Sequence, residues 1–170
     1  MSEQNLLREI FALSQTLVTE ARAQNKRIAV AESCTGGLIG AAITATPGSS
    51  AMFYGGIIAY DNSVKTKLLG VPPSTLGKYG AVSEKVAERM AAGALERLNV
   101  NLAVSVTGVA GPGGGSVEKP VGTVWIGVAT PTTTRAVKHH FKDVSRNKVR
   151  DHACLQAMQL LLETLRADPL

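Results

Sequence analysis

The sequence predicts an α/β protein, a three-layer α/β/α sandwich built on a mixed sheet of about five to six strands. Three observations carry this. Early in the chain, short apolar runs alternate with amphipathic segments, the pattern of strands joined by crossover helices. Late in the chain, two apolar runs are separated by only a short turn, so they pair directly as an antiparallel hairpin. The 170 residues, 45% hydrophobic and 18% charged, suit one domain over 1–170 with one core. Aromatics make up only 4%, so Val, Ile, Leu and Ala must fill that core.

Leu6, Ile10, Leu13, Leu17 and Ala21 recur at helical spacing and predict an amphipathic helix over about residues 4–24. Residues 27–31 read as a short buried strand, and a helix from 36 to about 45 follows, with Thr35 placed to cap it. Pro47-Gly48-Ser49-Ser50 is a turn. Residues 52–60, rich in Ile, Tyr and Phe, form a second strand, and 62–69 a short basic helix closed by Gly70. Pro72 and Pro73 then break the chain. Ser83 caps a long helix through Leu98, with Glu84 in its first turn, where the dipole favours negative charge. Residues 101–106 alternate as a third strand and lead into a glycine-rich loop, 108–115. Residues 123–129 and 135–141 make the hairpin, and an amphipathic helix runs from about 145 to 166, with Val149, Ala153, Ala157, Leu160 and Leu161 on one face. Trp125 and Met158 read as core.

Several function classes are excluded. No apolar run approaches the roughly 20 residues of a membrane span, and the N-terminal segment, with Glu3, Arg8 and Glu9, has no signal-peptide core. Cys34 and Cys154 form no disulfide framework, so a soluble cytoplasmic protein is expected. The net charge of +5 is scattered. Its densest stretch, 138–150, lacks interleaved aromatics, so a small phosphorylated molecule is a better partner than nucleic acid. His139 and His140 are adjacent and point to opposite faces of a strand, so no metal is expected. Cys34 reads as a packed side chain. The apolar outer helices would suit a homo-oligomer.

Three segments place small or polar residues just after a strand, where open α/β sheets build their sites. They are 32–37, 60–65 and 107–114. In the first, the N–H groups of Gly36, Gly37 and Leu38 offer an anion site at a helix start, or else Ser33 is a hydroxyl nucleophile displayed on a sharp turn. An ordinary capped turn is the third reading. In the second, Lys65 can serve a nearby serine as base if burial lowers its pKa, and Tyr60 can relay a proton or donate to an oxyanion. The third has no terminal G-K-[ST], so it is no P-loop, and no G-x-G-x-x-G occurs. Its backbone can still face an oxyanion or a phosphate.

The runs AESCTGG (31–37), PGSS (47–50), GGIIAY (55–60), KLLGV (67–71), GAVS (80–83), TGVAGPGG (107–114) and PVGT (120–123) occur in that order. Together they resemble the CinA C-terminal domain family over about residues 5–165. Characterised members are nicotinamide-nucleotide amidohydrolases. The resemblance implies hydrolysis of the carboxamide of nicotinamide mononucleotide to nicotinate mononucleotide and ammonia, with no metal or cofactor. Longer members carry an N-terminal domain resembling molybdopterin-binding proteins, so this chain looks like the stand-alone form. The Gly-Asp-Arg turn common before the last helix reads Phe141-Lys-Asp-Val-Ser-Arg146 here, with Arg146 as the matching arginine. The expected roles are Ser33 or Ser50 as nucleophile, Lys65 as base, and Tyr60 as relay or oxyanion donor. Thr107, Gly108, Gly111, Gly113 and Gly114 are expected against the substrate, with Thr35, Gly36 and Gly37, or Arg146, at its phosphate. The alternative is a non-catalytic nucleotide-binding module of the competence/damage-inducible type; DNA association is the weakest reading.

Overall fold

The computed structural model describes residues 3–167. Helix α1 (Glu3–Ala23) leads into strand β1 (Ile28–Glu32), α2 (Leu38–Thr44), a 3-10 turn (Ser49–Ala51) and β2 (Phe53–Ile58). Helices α3 (Asn62–Leu69), α4 (Pro73–Tyr79) and α5 (Glu84–Leu98) follow. The chain ends in β3 (Leu102–Gly108), β4 (Thr123–Ala129), β5 (Thr134–His140) and α6 (Arg146–Ala167). The five strands stand in the order β2-β1-β3-β4-β5. β2, β1 and β3 are parallel, and β4 and β5 continue the sheet antiparallel as the expected hairpin.

Helices cover both faces. One apolar cluster joins Leu17, Ile39, Ile43, Leu161 and Met158 of α1, α2 and α6 to Val30, Val104 and Ile126 of the sheet. A second packs Val86, Met90 and Ala94 of α5 and Leu69 of α3 against Ala29, Ala31 and Ala103. This is the expected three-layer sandwich. Because both faces are covered, residues 102–107 of β3 are all buried. The alternation expected there is absent, as befits a parallel strand inside the sheet. Backbones come closest where glycine permits it: a Cβ on Gly93 would strike the Leu69 carbonyl, and one on Gly127 the Ala87 carbonyl.

Other boundaries differ for physical reasons. Pro73 does not break the chain but starts α4, because its fixed φ and missing N–H suit the first helical position. Trp125 is only half-buried, whereas Met158 lies in the core. Ser83 caps α5 as expected, accepting from the Val86 N–H at 3.3 Å. Helix α2 starts at Leu38, after Gly37 in the left-handed region (φ 99°), with no bond from the Thr35 side chain. Among the described residues, no helix is long and apolar enough to cross a membrane.

The connections matter most for the site. From β1 the chain passes through α2 to β2 on one side, then returns through α3–α5 to β3 on the other side of β1. The winding therefore reverses between β1 and β3, where the carboxyl ends of the strands leave a crevice.

Candidate active site

That crevice is a cavity of about 300 Å³. Ser33 and Cys34 enter it from the end of β1, and Tyr60, Asn62 and Lys65 from the β2–α3 turn. Thr107 to Gly111, Gly113 and Gly114 come from the end of β3, Ala81 and Val82 from the turn before α5, and Arg146 from the start of α6. The three segments singled out in the sequence thus converge.

Lys65 decides the chemistry of the floor. Asp61 starts α3 by accepting the Ser63 N–H at 2.8 Å, which places Lys65 in the first turn with its stem turned inward. The side chain is 1% exposed. Its Nζ lies 3.0 Å from Ser33 Oγ, 2.8 Å from the Ala59 carbonyl and 3.1 Å from the Tyr60 carbonyl. Burial lowers its pKa below the ordinary lysine value, against a smaller opposing pull from Asp61. Nζ donates to all three oxygens, and loss of one of its protons, which burial favours, leaves a lone pair facing the Ser33 hydroxyl. Lysine and serine are thus within direct proton-transfer distance of one another.

Ser33 is held from its own backbone. Its N–H donates to Val106 of β3 at 2.9 Å, and its carbonyl accepts from Gly36 at 3.1 Å. The residue is 8% exposed and lines the cavity. At the mouth, Arg146 donates to the Gly111 carbonyl at 2.6 Å and to Tyr60 Oη at 3.2 Å. With Oη accepting from the guanidinium, the phenolic proton is left to point elsewhere. The Thr107 hydroxyl donates to the Ala81 carbonyl at 2.8 Å and so ties the β3 loop to the turn before α5.

The sequence matches the CinA C-terminal domain family over residues 10–165. The chain belongs to this family. A CinA-like protein of Leptospira borgpetersenii is 49% identical over 139 residues, 82% of this chain and 33% of the relative. One from a Cyanothece species is 46% identical over 155 residues, 91% of this chain and 37% of the relative. The chain therefore spans about a third of the length of the curated relatives it matches. Among solved structures, a competence/damage-inducible protein from Agrobacterium tumefaciens superposes with a TM-score of 0.90 at 40% identity, covering 93% of this chain and 96% of the other. A CinA superfamily protein from Escherichia coli gives 0.88 at 32% identity, covering 96% and 93%.

Within this CinA domain, not every expected residue reaches the site. Ser50 does not. It is exposed in the 3-10 turn before β2, at the amino ends of the parallel strands, where the neighbouring Met52 carbonyl accepts from Ile28. Ser33 lies at the opposite, carboxyl end. Thr35, Gly36 and Gly37 do not line the cavity either, and the anion site expected there is already filled. Gly36 N–H goes to the Ser33 carbonyl and Leu38 N–H to the Thr35 carbonyl. Gly37, Ile39 and Gly40 donate to the carboxylate of Glu32 at 3.0, 3.1 and 2.9 Å. The chain's own carboxylate occupies the helix start. Thr35 caps nothing: its hydroxyl is buried without a partner, while its carbonyl accepts from Arg150 at 2.9 Å.

Cys34 is packed as expected, and burial pushes its thiol up to about 11, away from any role as thiolate. His139 stacks on Phe141, which stacks on His152. None of the three lines the cavity, and no cluster of three metal-ligating side chains occurs among the described residues. The sequence reading assigned no role to Glu32 and Asn62, although they lie within the runs 32–37 and 60–65, nor to Ala81 and Val82. The last two belong to the GAVS run, which carried the resemblance without being given a role.

Proposed function

We propose that this domain hydrolyses the carboxamide of nicotinamide mononucleotide, releasing ammonia and nicotinate mononucleotide. The observation that carries the reading is the buried Lys65 Nζ, 3.0 Å from Ser33 Oγ at the floor of the cavity. Carboxamides resist water at neutral pH, so an enzyme must supply a strong nucleophile, a base and donors for the oxyanion. Lys65 takes the Ser33 proton as Oγ bonds to the amide carbon. The oxyanion is met by the Tyr60 hydroxyl, polarised by Arg146, and by backbone N–H groups of the 108–114 loop. The C–N bond breaks as Lys65 returns its proton to the departing ammonia. Water, deprotonated by Lys65, then cleaves the acyl-serine to the carboxylate and restores Oγ–H.

The substrate phosphate falls to Arg146. Its guanidinium has five N–H groups, which meet two acceptors among the described residues. Helix α2, the usual phosphate seat in such folds, is closed by Glu32. The test is ammonia release from the mononucleotide by the purified protein and by Ser33→Ala. The wild-type protein should release ammonia and the variant should lose that activity while melting normally. Turnover near the wild-type rate in Ser33→Ala, or no ammonia from the wild type, would sink the reading.

A further inference from the structure

We propose that Glu32 is a positioning residue, whose carboxylate acts as a built-in anion at the start of α2 and thereby holds the Ser33 hydroxyl on Lys65. The inference rests on the reading of Ser33 as nucleophile. Glu32 is 1% exposed, and a buried carboxylate is costly unless fully paired. Here both oxygens are engaged, Oε2 by the Gly37 and Ile39 N–H groups and Oε1 by Gly40. Charge-assisted bonds of this kind are about twice as strong as neutral ones. They span the 33–37 turn like a clasp, with Ser33 as the first residue inside it.

The same residue is tied to the base through its main chain. The Glu32 carbonyl accepts from Ala59 N–H at 2.7 Å. The Ala59 carbonyl accepts from Lys65 Nζ at 2.8 Å, and Nζ meets Ser33 Oγ at 3.0 Å. A closed circuit therefore runs from Glu32 through Ala59 and Lys65 to Ser33 and back along the chain. Removing the carboxylate leaves that circuit and the lysine cradle intact and frees the 33–37 turn on which Ser33 stands. The loss should appear in the chemical step. Substrate binding should be spared, because Glu32 does not line the active-site cavity.

The structure also offers a way to restore what is removed. Glu32→Ala deletes the equivalent of one acetate. A separate groove of about 210 Å³ between α2 and β2 is lined by Glu32, Gly37 and Gly40. Added acetate can enter there and reoccupy the freed N–H groups.

The experiment measures kcat and KM for ammonia release, with melting temperature, for wild type, Glu32→Ala, Glu32→Gln and Ser33→Ala, each with and without acetate. Expected for Glu32→Ala is a fall in kcat of about 10- to 100-fold, the scale of a misplaced reacting group, with KM changed less than about twofold. Acetate should recover most of that kcat and leave the wild type unaffected. Glu32→Gln, whose amide oxygen keeps part of the clasp, should lose less kcat, again at constant KM. If Glu32→Ala folds only with acetate, the kcat–KM split of Glu32→Gln carries the test. Wild-type kcat in the Glu32 variants while Ser33→Ala is inactive overturns this inference alone. So does a loss confined to KM, or acetate restoring the melting temperature but not kcat. A fully active Ser33→Ala overturns the underlying reading instead.

Discussion

Replacing Lys65 by Met tests the assignment of the base most directly. Methionine follows the buried stem of lysine but ends one atom short, so the apolar packing is kept and only Nζ is lost. Three contacts disappear together, at 3.0 Å to Ser33 Oγ, 2.8 Å to the Ala59 carbonyl and 3.1 Å to the Tyr60 carbonyl. Loss of a general base costs about 10² to 10⁴ in rate, or about 3–5 kcal/mol of activation free energy. Stability should move less, because two effects oppose. Each buried carbonyl left without a donor costs about 1–3 kcal/mol, while the burial cost of the amine is removed. That second effect has a sign in pH. Burial lowers the pKa of Lys65 in the fold, so between the folded value and the unfolded value of about 10.4 the unfolded chain holds the extra proton. Wild-type stability therefore rises with pH through that window, and the penalty is full below it. The melting temperature of Lys65→Met relative to wild type should be highest on the acid side of that window and fall as the pH is raised through it. In the ammonia assay, wild-type kcat/KM should rise with pH to a midpoint below the ordinary lysine value, and the variant should lack that limb. A variant within tenfold of wild type, or one keeping the same rising limb, would refute Lys65 as base.

Ser50→Ala should turn over within about twofold of wild type, because surface changes away from a site rarely matter and Ser50 lies at the far end of the sheet; steady-state kinetics checks it. Arg146→Ala should lower kcat on the mononucleotide and on the phosphate-free nucleoside alike, through Tyr60, and should in addition raise KM for the mononucleotide alone by roughly tenfold or more, the scale of a lost charge-assisted bond; equal losses on both substrates would show Arg146 acting only through Tyr60. Both free cysteines are buried, and burial raises both thiol pKa values, Cys34 to about 11. Neither should react with a thiol-titrating disulfide at neutral pH until denaturant is added. Gly93→Ala should destabilise the fold by about 1–3 kcal/mol, since its Cβ would meet the Leu69 carbonyl; a denaturant midpoint measures the loss.

Much of this was legible before any coordinates. Each buried run followed by small or polar residues marked the carboxyl end of a strand, and adjacency of β1, β2 and β3 was enough to bring Ser33, Tyr60, Lys65 and Thr107 together. The contest between Ser33 and Ser50 was also decidable in principle. Ser33 follows a strand and Ser50 precedes one, so in a parallel arrangement they lie at opposite ends. Helix α4 was hidden because Pro72-Pro73 reads equally as a break or as a first helical turn. Which of the two occurs depends on packing outside the sequence window: Leu76 of α4 sits against the α5-side core.

Glu32 was hidden for a different reason. A Gly-Gly pair at a helix start is the signature of a seat for an external anion, and glycine at 36 and 37 made that reading attractive. Strand parity argues otherwise. Alternate residues of a strand share a face, so Glu32 lies on the face of Val30. Val30 belongs to the core under α1, α2 and α6, whereas Ala31 belongs to the core under α5. A carboxylate at the last position of β1 is therefore directed at the helix layer that contains α2, whose first N–H groups are unpartnered by construction. Left-handed Gly36 and Gly37 (φ 60° and 99°) bend the chain back over its own acid. That acid takes the N–H groups a phosphate would need, and the positive end of α2 is neutralised from within. The phosphate of the proposed substrate then falls to Arg146, which stands beside Tyr60 and the 108–114 loop.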